Sequence, residues 1–166
     1  MGRSVGLYAI ASALALGARR VTLVDDDEEA RRVAASLGAT ALRKDEWDPK
    51  DRYFITVDAS GHVPDLQRTI QATASGGTCT SVAIYFSRHV PIPLLAMYGK
   101  GIRFVTGRIS APPCIHEVLG LACDGKLHPG RVTTRVAPWQ DAHVAFLENT
   151  PKVVVARKEY LQSAKS

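Results

Sequence analysis

The sequence predicts an α/β protein in which parallel strands alternate with helices to form a doubly wound sheet. Three observations support this fold class. Short apolar runs of strand length recur along the chain, segments of helical composition separate them, and glycine stands at several of the boundaries. A repeated strand–helix order indicates a parallel sheet that helices cover on both faces.

The composition is that of an ordinary globular domain. The chain has 166 residues, of which 46% are hydrophobic and 22% are charged, so it can build one core and extensive disorder is excluded. No apolar run approaches the roughly 18 residues that a bilayer span needs. The apolar segment Val5–Leu16 continues directly into a strand without a cleavage site, so we interpret it as a buried helix rather than a signal segment. We therefore expect a cytoplasmic protein with no membrane contact.

The net charge of +5 raises the question of nucleic-acid binding. The basic residues are scattered in pairs along the chain, and no aromatic residues are interleaved with them as stacking platforms would require. Solvated surface charge explains the excess better, so we expect no nucleic-acid partner.

Residues 2–9 have the composition of a turn that opens a helix. The helix is predicted over about Ser4–Leu16 and ends at Gly17, and its alanines and leucines should bury most of its faces. The strand Val21–Val24 follows and ends at Asp25. This order is typical of the second half of a βαβ unit that binds a dinucleotide. The pyrophosphate rests on the helix N-terminus, and a carboxylate about 20 residues later accepts the ribose hydroxyls.

Two features depart from a complete unit of this kind. If Gly6 is the last glycine of G-x-G-x-x-G, then Met1 and Arg3 occupy the other two glycine positions. The middle glycine lets the backbone approach the pyrophosphate closely, and Arg3 could either pair with phosphate or block that approach. In addition, no predicted strand precedes the turn, so we expect the first strand of the sheet to be missing.

The next elements continue the alternation. Carboxylates at Asp26–Glu29 suit the start of a helix, which we expect to run to Leu37 and to end at Gly38. A short strand is predicted at Ala39–Leu42. Residues 43–51 are polar and include a proline, so they are predicted to form a surface loop.

Strand Tyr53–Asp58 leads to the turn 59–61, at the edge of the sheet where ligands of open α/β folds bind. Asp58 therefore either faces the cofactor or bonds the backbone of its own turn, and we favour the structural role. Further helices are predicted over 64–75, over 91–98, where Pro91-Ile92-Pro93 forms the start, over Cys114–Cys123 and over 140–147, where Asp141 could cap the helix. Further strands are predicted over 78–84 after a turn at Gly76-Gly77, over 102–105, over 132–136 and over 152–156.

The ordered set of motifs resembles the C-terminal part of the zinc-type medium-chain alcohol dehydrogenases, over nearly the whole chain. The matching segments are Ser4-Val5-Gly6-Leu7, Val24-Asp25, Val57-Asp58-Ala59-Ser60-Gly61, Gly76-Gly77 and Lys152-Val153-Val154-Val155. The resemblance implies a Rossmann-like sheet that lacks its first strand. It also implies a division into a truncated dinucleotide-binding domain, residues 1–107, and a C-terminal segment, residues 108–166, that packs on the catalytic domain in that family.

The resemblance also implies a cofactor site for NAD. Asp25 should bind the ribose and repel a 2′-phosphate, which favours NAD over NADP. Backbone at Ser4, Val5 and Gly6 should meet the pyrophosphate. The remaining predicted contacts, which the resemblance places near the cofactor or its phosphates, are Ser60, Gly61, Val82, Ala83, Ile84 and Lys152.

No catalytic or metal-binding residue is predicted in this chain. The zinc ligands of the family lie in its N-terminal domain, which has no counterpart here. The chain has only three cysteines, Cys79, Cys114 and Cys123, and their spacing is not the paired spacing of zinc sites. They are therefore predicted to be reduced thiols. None of the five histidines has a spacing that indicates a proton relay.

The function predicted from these patterns is that of the nucleotide-binding portion of an NAD-dependent alcohol dehydrogenase. The intact parent would transfer hydride between NAD and an alcohol or aldehyde, and the chain alone should lack turnover. A non-catalytic NAD-binding or interaction module and a gene fragment without its own function are the alternatives. Without its first strand the sheet has a gap, which neighbouring strands, a homo-oligomer or another complementing chain could fill.

Overall fold

The computed structural model describes residues 3–50, 52–108 and 110–157, which form an α/β fold with parallel strands. Its strands are β1 (Thr22–Val24), β2 (Thr40–Leu42), β3 (Tyr53–Asp58), β4 (Thr73–Ser81), β5 (Arg103–Thr106), β6 (Arg135–Pro138) and β7 (Val153–Ala156). Its helices are α1 (Arg3–Ala15), α2 (Glu28–Leu37), α3 (Val63–Ala72), α4 (Leu94–Lys100), α5 (Ile115–Cys123) and α6 (Ala142–Ala145). Short 3₁₀ turns at Pro112–Cys114, Pro129–Val132 and Trp139–Asp141 complete the elements.

The described strands form three sheets, and every strand pair is parallel. β1 pairs with β2, β4 lies between β3 and β5, and β6 pairs with β7. Because parallel neighbours need crossover connections, helices or loops link each pair. These observations confirm the predicted α/β class with parallel strands.

Two separate apolar cores hold the strands and helices together. The first contains Leu7 and Ile10 of α1, Val33 of α2 and Val132 of the C-terminal segment. The second contains Leu66 and Ile70 of α3, Cys79 of β4 and Met97 of α4. Residue Val132 is fully buried, so the C-terminal segment completes the first core rather than standing apart from it.

A cleft separates the β1–β2 sheet from the β3–β4–β5 sheet. It has a volume of about 710 Å³ and is lined along its length by residues 20–25 and 53–58. β1 and β3 share no ladder in the described structure. The expected gap in the sheet is therefore present, and the neighbouring strands have not closed over it.

Local sequence explains the ends of α2. The Asp27 side chain accepts a hydrogen bond from the backbone N–H of Ala30 at 2.7 Å, which caps the helix N-terminus. Gly38 adopts a φ of 102° and ends the helix in the left-handed conformation that glycine permits. Both ends agree with the prediction to within two residues.

The structure corrects the predicted boundary between α3 and β4. The helix ends at Ala72 rather than Ser75, and the strand begins at Thr73. Gly76-Gly77 is therefore part of β4, where the register against β3 shifts between Tyr53 and Ile55. A Cβ on Gly77 would lie 2.8 Å from the Phe54 carbonyl oxygen, so close backbone approach rather than a turn requires this glycine.

Three smaller predictions are also wrong. Asp141 makes no side-chain cap on α6. Val132 lies in a 3₁₀ turn, and the strand predicted from it begins at Arg135. Helix α1 is buried only at Leu7, Ile10 and Ala11, because the face toward the cleft has no strand to cover it.

No helix among the described residues combines the length and the apolar character that crossing a bilayer requires.

Candidate functional site

The turns after β3 and β4 are joined at the carboxyl edge of the sheet by a buried carboxylate. Asp58 ends β3 and is 2% exposed. Its Oδ1 accepts hydrogen bonds from the Ser60 backbone N–H at 3.1 Å and from the Ser60 hydroxyl at 2.6 Å. Its Oδ2 accepts from the Ser81 hydroxyl and from the Tyr85 phenol, each at 2.8 Å. Asp58 thus has the structural role that its position in the turn indicated.

The Tyr85 phenol is the titratable group that this arrangement perturbs most clearly. The pKa of Tyr85 is raised from its ordinary value of 10.0 to about 12. Partial burial is the largest cause, the hydrogen bond to Asp58 contributes to the rise, and a hydrogen bond with Ser60 opposes it. The neutral phenol is therefore the form that the folded protein favours.

This shift predicts a loss of stability at alkaline pH. Because the folded-state pKa lies above the unfolded one, the Tyr85 contribution is complete below about pH 10 and is lost as the pH rises through about 12. A tyrosinate absorbance titration should show one late component, which Tyr85→Phe removes. Tyr98→Phe is the control, because Tyr98 is 85% exposed. A late component that survives in Tyr85→Phe would contradict the assignment.

Asp25, the predicted ribose ligand, lies directly after β1 and is half-buried. Its Oδ1 accepts a hydrogen bond from the Asp27 backbone N–H at 2.9 Å, and its carbonyl oxygen accepts from Arg31 at 2.8 Å. Oδ2 has no hydrogen-bond partner within the described part of the chain. One carboxylate oxygen therefore holds the turn, and the other remains available to a ligand.

Arg3, at the start of α1, contacts the same turn. Its guanidinium forms an ion pair with Asp27 and donates a hydrogen bond to the Asn149 side chain. The backbone of Ser4, Val5 and Gly6 forms the first turn of α1 beside it, where helix N–H groups lack partners within the helix. The guanidinium of Arg3, which occupies the middle glycine position of the predicted motif, is thus bonded to two side chains of the protein. Met1, at the first glycine position, lies outside the described residues.

The structure brings the predicted residues of the β3 and β4 turns together. The Val82 backbone N–H donates to the Asp58 carbonyl oxygen at 2.9 Å. A Cβ on Gly61, which has a φ of 69°, would lie 3.8 Å from the Ile84 carbonyl oxygen and 4.0 Å from the Ala83 Cβ. Gly61, Ala83 and Ile84 therefore form one surface beyond the strands.

Lys152 lies on a different part of the fold from these turns. The Lys152 ammonium is 5.8 Å from the centre of the ring of Tyr8, which is a residue of α1. Tyr8 is five positions after Arg3, so this contact lies about 7.5 Å along the helix from its N-terminus. Of the predicted residues, Gly6, Asp25 and Ser60 line the same cleft, whereas Lys152 does not.

Sequence reasoning missed Ser81 and Tyr85 as partners of Asp58. Ser81 lies directly opposite Asp58 in the parallel pairing of β3 and β4, but a single sequence does not encode that register locally. Tyr85 follows in an irregular segment, where no periodicity fixes the direction of a side chain.

The described residues contain no cluster of three or more histidine, cysteine, aspartate or glutamate side chains that could hold a metal ion. Cys79 is buried and burial raises the pKa of its thiol, while Cys114 and Cys123 are exposed. The donor set of this part of the chain therefore does not fit the catalytic zinc of the family, which needs three protein ligands.

Comparison with solved structures finds the same fold in several dehydrogenases. An alcohol dehydrogenase from Thermus sp. ATN1 has a TM-score of 0.84 and 25% identity, and the match covers 93% of this chain and 50% of that one. A short chain alcohol dehydrogenase from E. coli CFT073, complexed with NADH, has a TM-score of 0.79 and 16% identity over 92% of this chain and 49% of that one.

A putative zinc-binding dehydrogenase from Sinorhizobium meliloti 1021, bound to NADP, also has a TM-score of 0.79, with 19% identity over 93% of this chain and 49% of that one. The chain thus spans about half the length of the structures it matches. No match was found among curated proteins.

The model of the family described as zinc-binding dehydrogenase matches residues 4–122, which is most of the chain. The matched residues include α1, the Asp25 turn and the turns after β3 and β4. The chain therefore belongs to the zinc-binding dehydrogenase family and corresponds to its C-terminal, Rossmann-like domain.

Proposed function

We propose that this chain is the NAD-binding portion of an alcohol dehydrogenase-like oxidoreductase. The observation that carries the proposal is the half-buried carboxylate of Asp25. It lies at the carboxyl end of β1, close to the start of α1, with one oxygen unpaired among the described residues. A carboxylate at this place in a dinucleotide-binding fold accepts ribose hydroxyls. The family match over residues 4–122 supports the same assignment.

The proposed binding mode uses residues from five parts of the chain. Asp25 holds the ribose, and the backbone of Ser4, Val5 and Gly6 meets the pyrophosphate at the start of α1. Lys152 contributes positive charge on the side of α1. The turns after β3 and β4 complete the surface through Ser60, Gly61, Val82, Ala83 and Ile84. NAD, when bound, supplies the hydride acceptor of the reaction.

In the intact parent we propose hydride transfer between NAD and an alcohol or aldehyde in the cytoplasm. For the 166-residue chain alone we propose no turnover, since the described residues hold no candidate zinc site. Zinc-dependent alcohol oxidation by the purified chain, followed through NADH absorbance, would contradict this proposal.

The cofactor proposal is tested by titrating the purified chain with NADH and with NADPH, using cofactor fluorescence. We expect NADH to bind more tightly, because Asp25 accepts ribose hydroxyls and repels a 2′-phosphate. Asp25→Ala should weaken NADH binding about tenfold, equivalent to ~1.4 kcal/mol. It should also reduce the ratio of the NADH affinity to the NADPH affinity.

Glu28→Ala is the matched control, because it removes the same charge from an exposed position in the first turn of α2. Equal losses in the two variants would assign the effect to net charge rather than to ribose binding. Absence of NADH binding by the unsubstituted chain would overturn the cofactor proposal.

The second candidate function is that of a non-catalytic interaction module. The cleft between β1 and β3 favours it, because both of its edges are strands without a partner on that side. The two candidates are compatible, since Asp25 lies at the end of the cleft and not across it.

A further inference from the structure

The chain between β4 and α4, residues 82–93, contains neither helix nor strand. Its first part, residues 82–84, belongs to the proposed cofactor surface. The side chains on both sides of Tyr85 are open to solvent, with 61% of Ile84 and 89% of Phe86 exposed. A segment of this kind has little packing of its own, so its conformation depends on the few contacts that tie it to the rest of the fold.

Tyr85 makes the contacts that fix the middle of this segment. Its ring packs against the second apolar core. Its hydroxyl donates to the Asp58 Oδ2 at 2.8 Å and lies 3.5 Å from the His62 carbonyl oxygen. Within the described structure, Tyr85 is the only residue of the stretch 83–90 that hydrogen-bonds to another part of the chain. The Tyr85 hydroxyl is therefore the polar tether of this stretch.

The other end of this tether is fixed. Asp58 is buried, and its Oδ1 already accepts two hydrogen bonds from Ser60. Ser81 donates to the same Oδ2 as Tyr85 does, also at 2.8 Å. Asp58 and Ser81 lie opposite each other in the ladder between β3 and β4, so the ladder holds both of them without help from the segment. The Tyr85 hydroxyl thus connects a segment without regular structure to a rigid edge of the sheet.

The tethered backbone and Asp25 belong to different halves of the fold. A dinucleotide-binding sheet consists of two halves, and each half binds one mononucleotide. Asp25 follows β1 in the half that contains β1 and β2, and a carboxylate there binds the adenosine ribose. The turn after β4 belongs to the other half, which contains β3, β4 and β5. In the proposed binding mode, residues 82–84 therefore meet the nicotinamide half of NAD.

We propose that Tyr85 is a positioning residue for the nicotinamide half of the cofactor. Its hydrogen bond to Asp58 holds the backbone of residues 82–84 in the conformation that the cofactor contacts, and the phenol itself does not touch the cofactor. Without the tether, binding would have to order this segment, and the cost of that ordering lowers the affinity. The proposal rests on the proposed function of NAD binding and adds to it a residue that acts through the backbone it holds.

The test compares the full chain with Tyr85→Phe, which removes the hydroxyl and keeps the ring in the apolar core. Both proteins are titrated with NADH, followed by cofactor fluorescence, and with ADP-ribose, followed by calorimetry. ADP-ribose contains the adenosine and the pyrophosphate but lacks the nicotinamide. We expect the variant to bind NADH about tenfold more weakly and ADP-ribose within about twofold of the unsubstituted chain, because only the nicotinamide half loses its preorganised surface. A purely structural role of the hydroxyl would change both affinities alike or neither.

A second measurement needs no cofactor. Order parameters from ¹⁵N relaxation should be near the value of rigid backbone, about 0.85, at residues 83–86 of the unsubstituted chain. In Tyr85→Phe they should fall toward about 0.6, below which backbone is flexible. The order parameter of Asp25 should stay unchanged, because the hydrogen bonds of its turn come from Asp27 and Arg31.

Two variants serve as matched controls. Ser81→Ala removes the other donor to the Asp58 Oδ2, at the same 2.8 Å, but from a strand that ladders hold on both sides. Tyr53→Phe removes a phenol that donates to the Thr22 hydroxyl at 3.1 Å, between β1 and β3. Both controls should leave the ratio of the NADH affinity to the ADP-ribose affinity unchanged, together with the order parameters at residues 83–86.

Three results would overturn the proposal. The first is equal NADH binding by Tyr85→Phe and the unsubstituted chain, and the second is an equal loss of NADH and ADP-ribose binding in Tyr85→Phe. The third is a set of order parameters at residues 83–86 that does not change in Tyr85→Phe or that falls as far in Ser81→Ala. Absence of NADH binding by the unsubstituted chain would overturn the cofactor proposal and the role of Tyr85 together. That failure is distinguishable, because the first two results are obtained only when the unsubstituted chain binds NADH.

Discussion

Replacing Asp58 with alanine is expected to lower the free energy of unfolding by about 3 kcal/mol. The carboxylate accepts four hydrogen bonds from Ser60, Ser81 and Tyr85. Hydrogen bonds to charged groups contribute roughly 1.5–3 kcal/mol each, and a buried donor left without a partner costs roughly 1–3 kcal/mol. Ser81 is 4% exposed and loses its partner fully, whereas Ser60 and Tyr85 can recover part of the loss from water.

Urea denaturation of the wild type and the variant measures this loss. Asp48→Ala is the matched control, because Asp48 also accepts a backbone hydrogen bond in a local turn, from Lys50 at 2.8 Å, but is exposed. Surface substitutions of that kind usually change stability by less than about 0.5 kcal/mol. Equal effects of the two substitutions would show that the Asp58 network adds no more than a surface turn does.

The Asp58 network illustrates what the sequence could and could not predict. The strand Tyr53–Asp58 was predicted at its observed bounds, and an aspartate before a turn indicated local hydrogen bonding. The bonds from Ser81 and Tyr85 join two strands and an irregular segment. Their formation depends on the register of β3 against β4, which a single sequence does not encode locally.

The boundary between α3 and β4 shows a second limit. Gly76-Gly77 has the composition of a turn, and the helical pattern before it continues to Ser75. The structure instead places both glycines within β4, where Gly76 has a φ of 71° and the backbone of β3 approaches Gly77 closely. A glycine that is required for a positive φ and a glycine that is required for the close approach of a neighbouring backbone look alike in a sequence. Only the position of the partner strand distinguishes them.

The cleft itself was predictable from the order of elements. The order indicated a missing interior strand, and the structure leaves that space open between β1 and β3. The face of α1 toward the cleft was predicted as buried because its residues are apolar. The composition of a helix face indicates which kind of surface the face can pack against. It does not indicate whether that surface is present.

The open edge of β3 predicts effects of very different size for two neighbouring proline substitutions. Thr56→Pro should lower the free energy of unfolding by roughly 3–5 kcal/mol, because it removes a ladder hydrogen bond to β4 and leaves its acceptor unpaired. It also removes the buried contact between the Thr56 and Thr73 hydroxyls, which lie 2.8 Å apart. Ile55→Pro should change it by less than about 1 kcal/mol, since proline is tolerated where a strand N–H has no ladder partner.

The comparison of these two variants separates an open edge from a general intolerance of proline in β3. Both substitutions place the same ring in the same strand, one residue apart, and the residue before each is already extended. Chemical denaturation, with circular dichroism to verify folding, gives both values. If Ile55→Pro is as destabilising as Thr56→Pro, the Ile55 N–H already has a partner in the folded chain. The side of β3 that faces the cleft would then not be free to accept another strand.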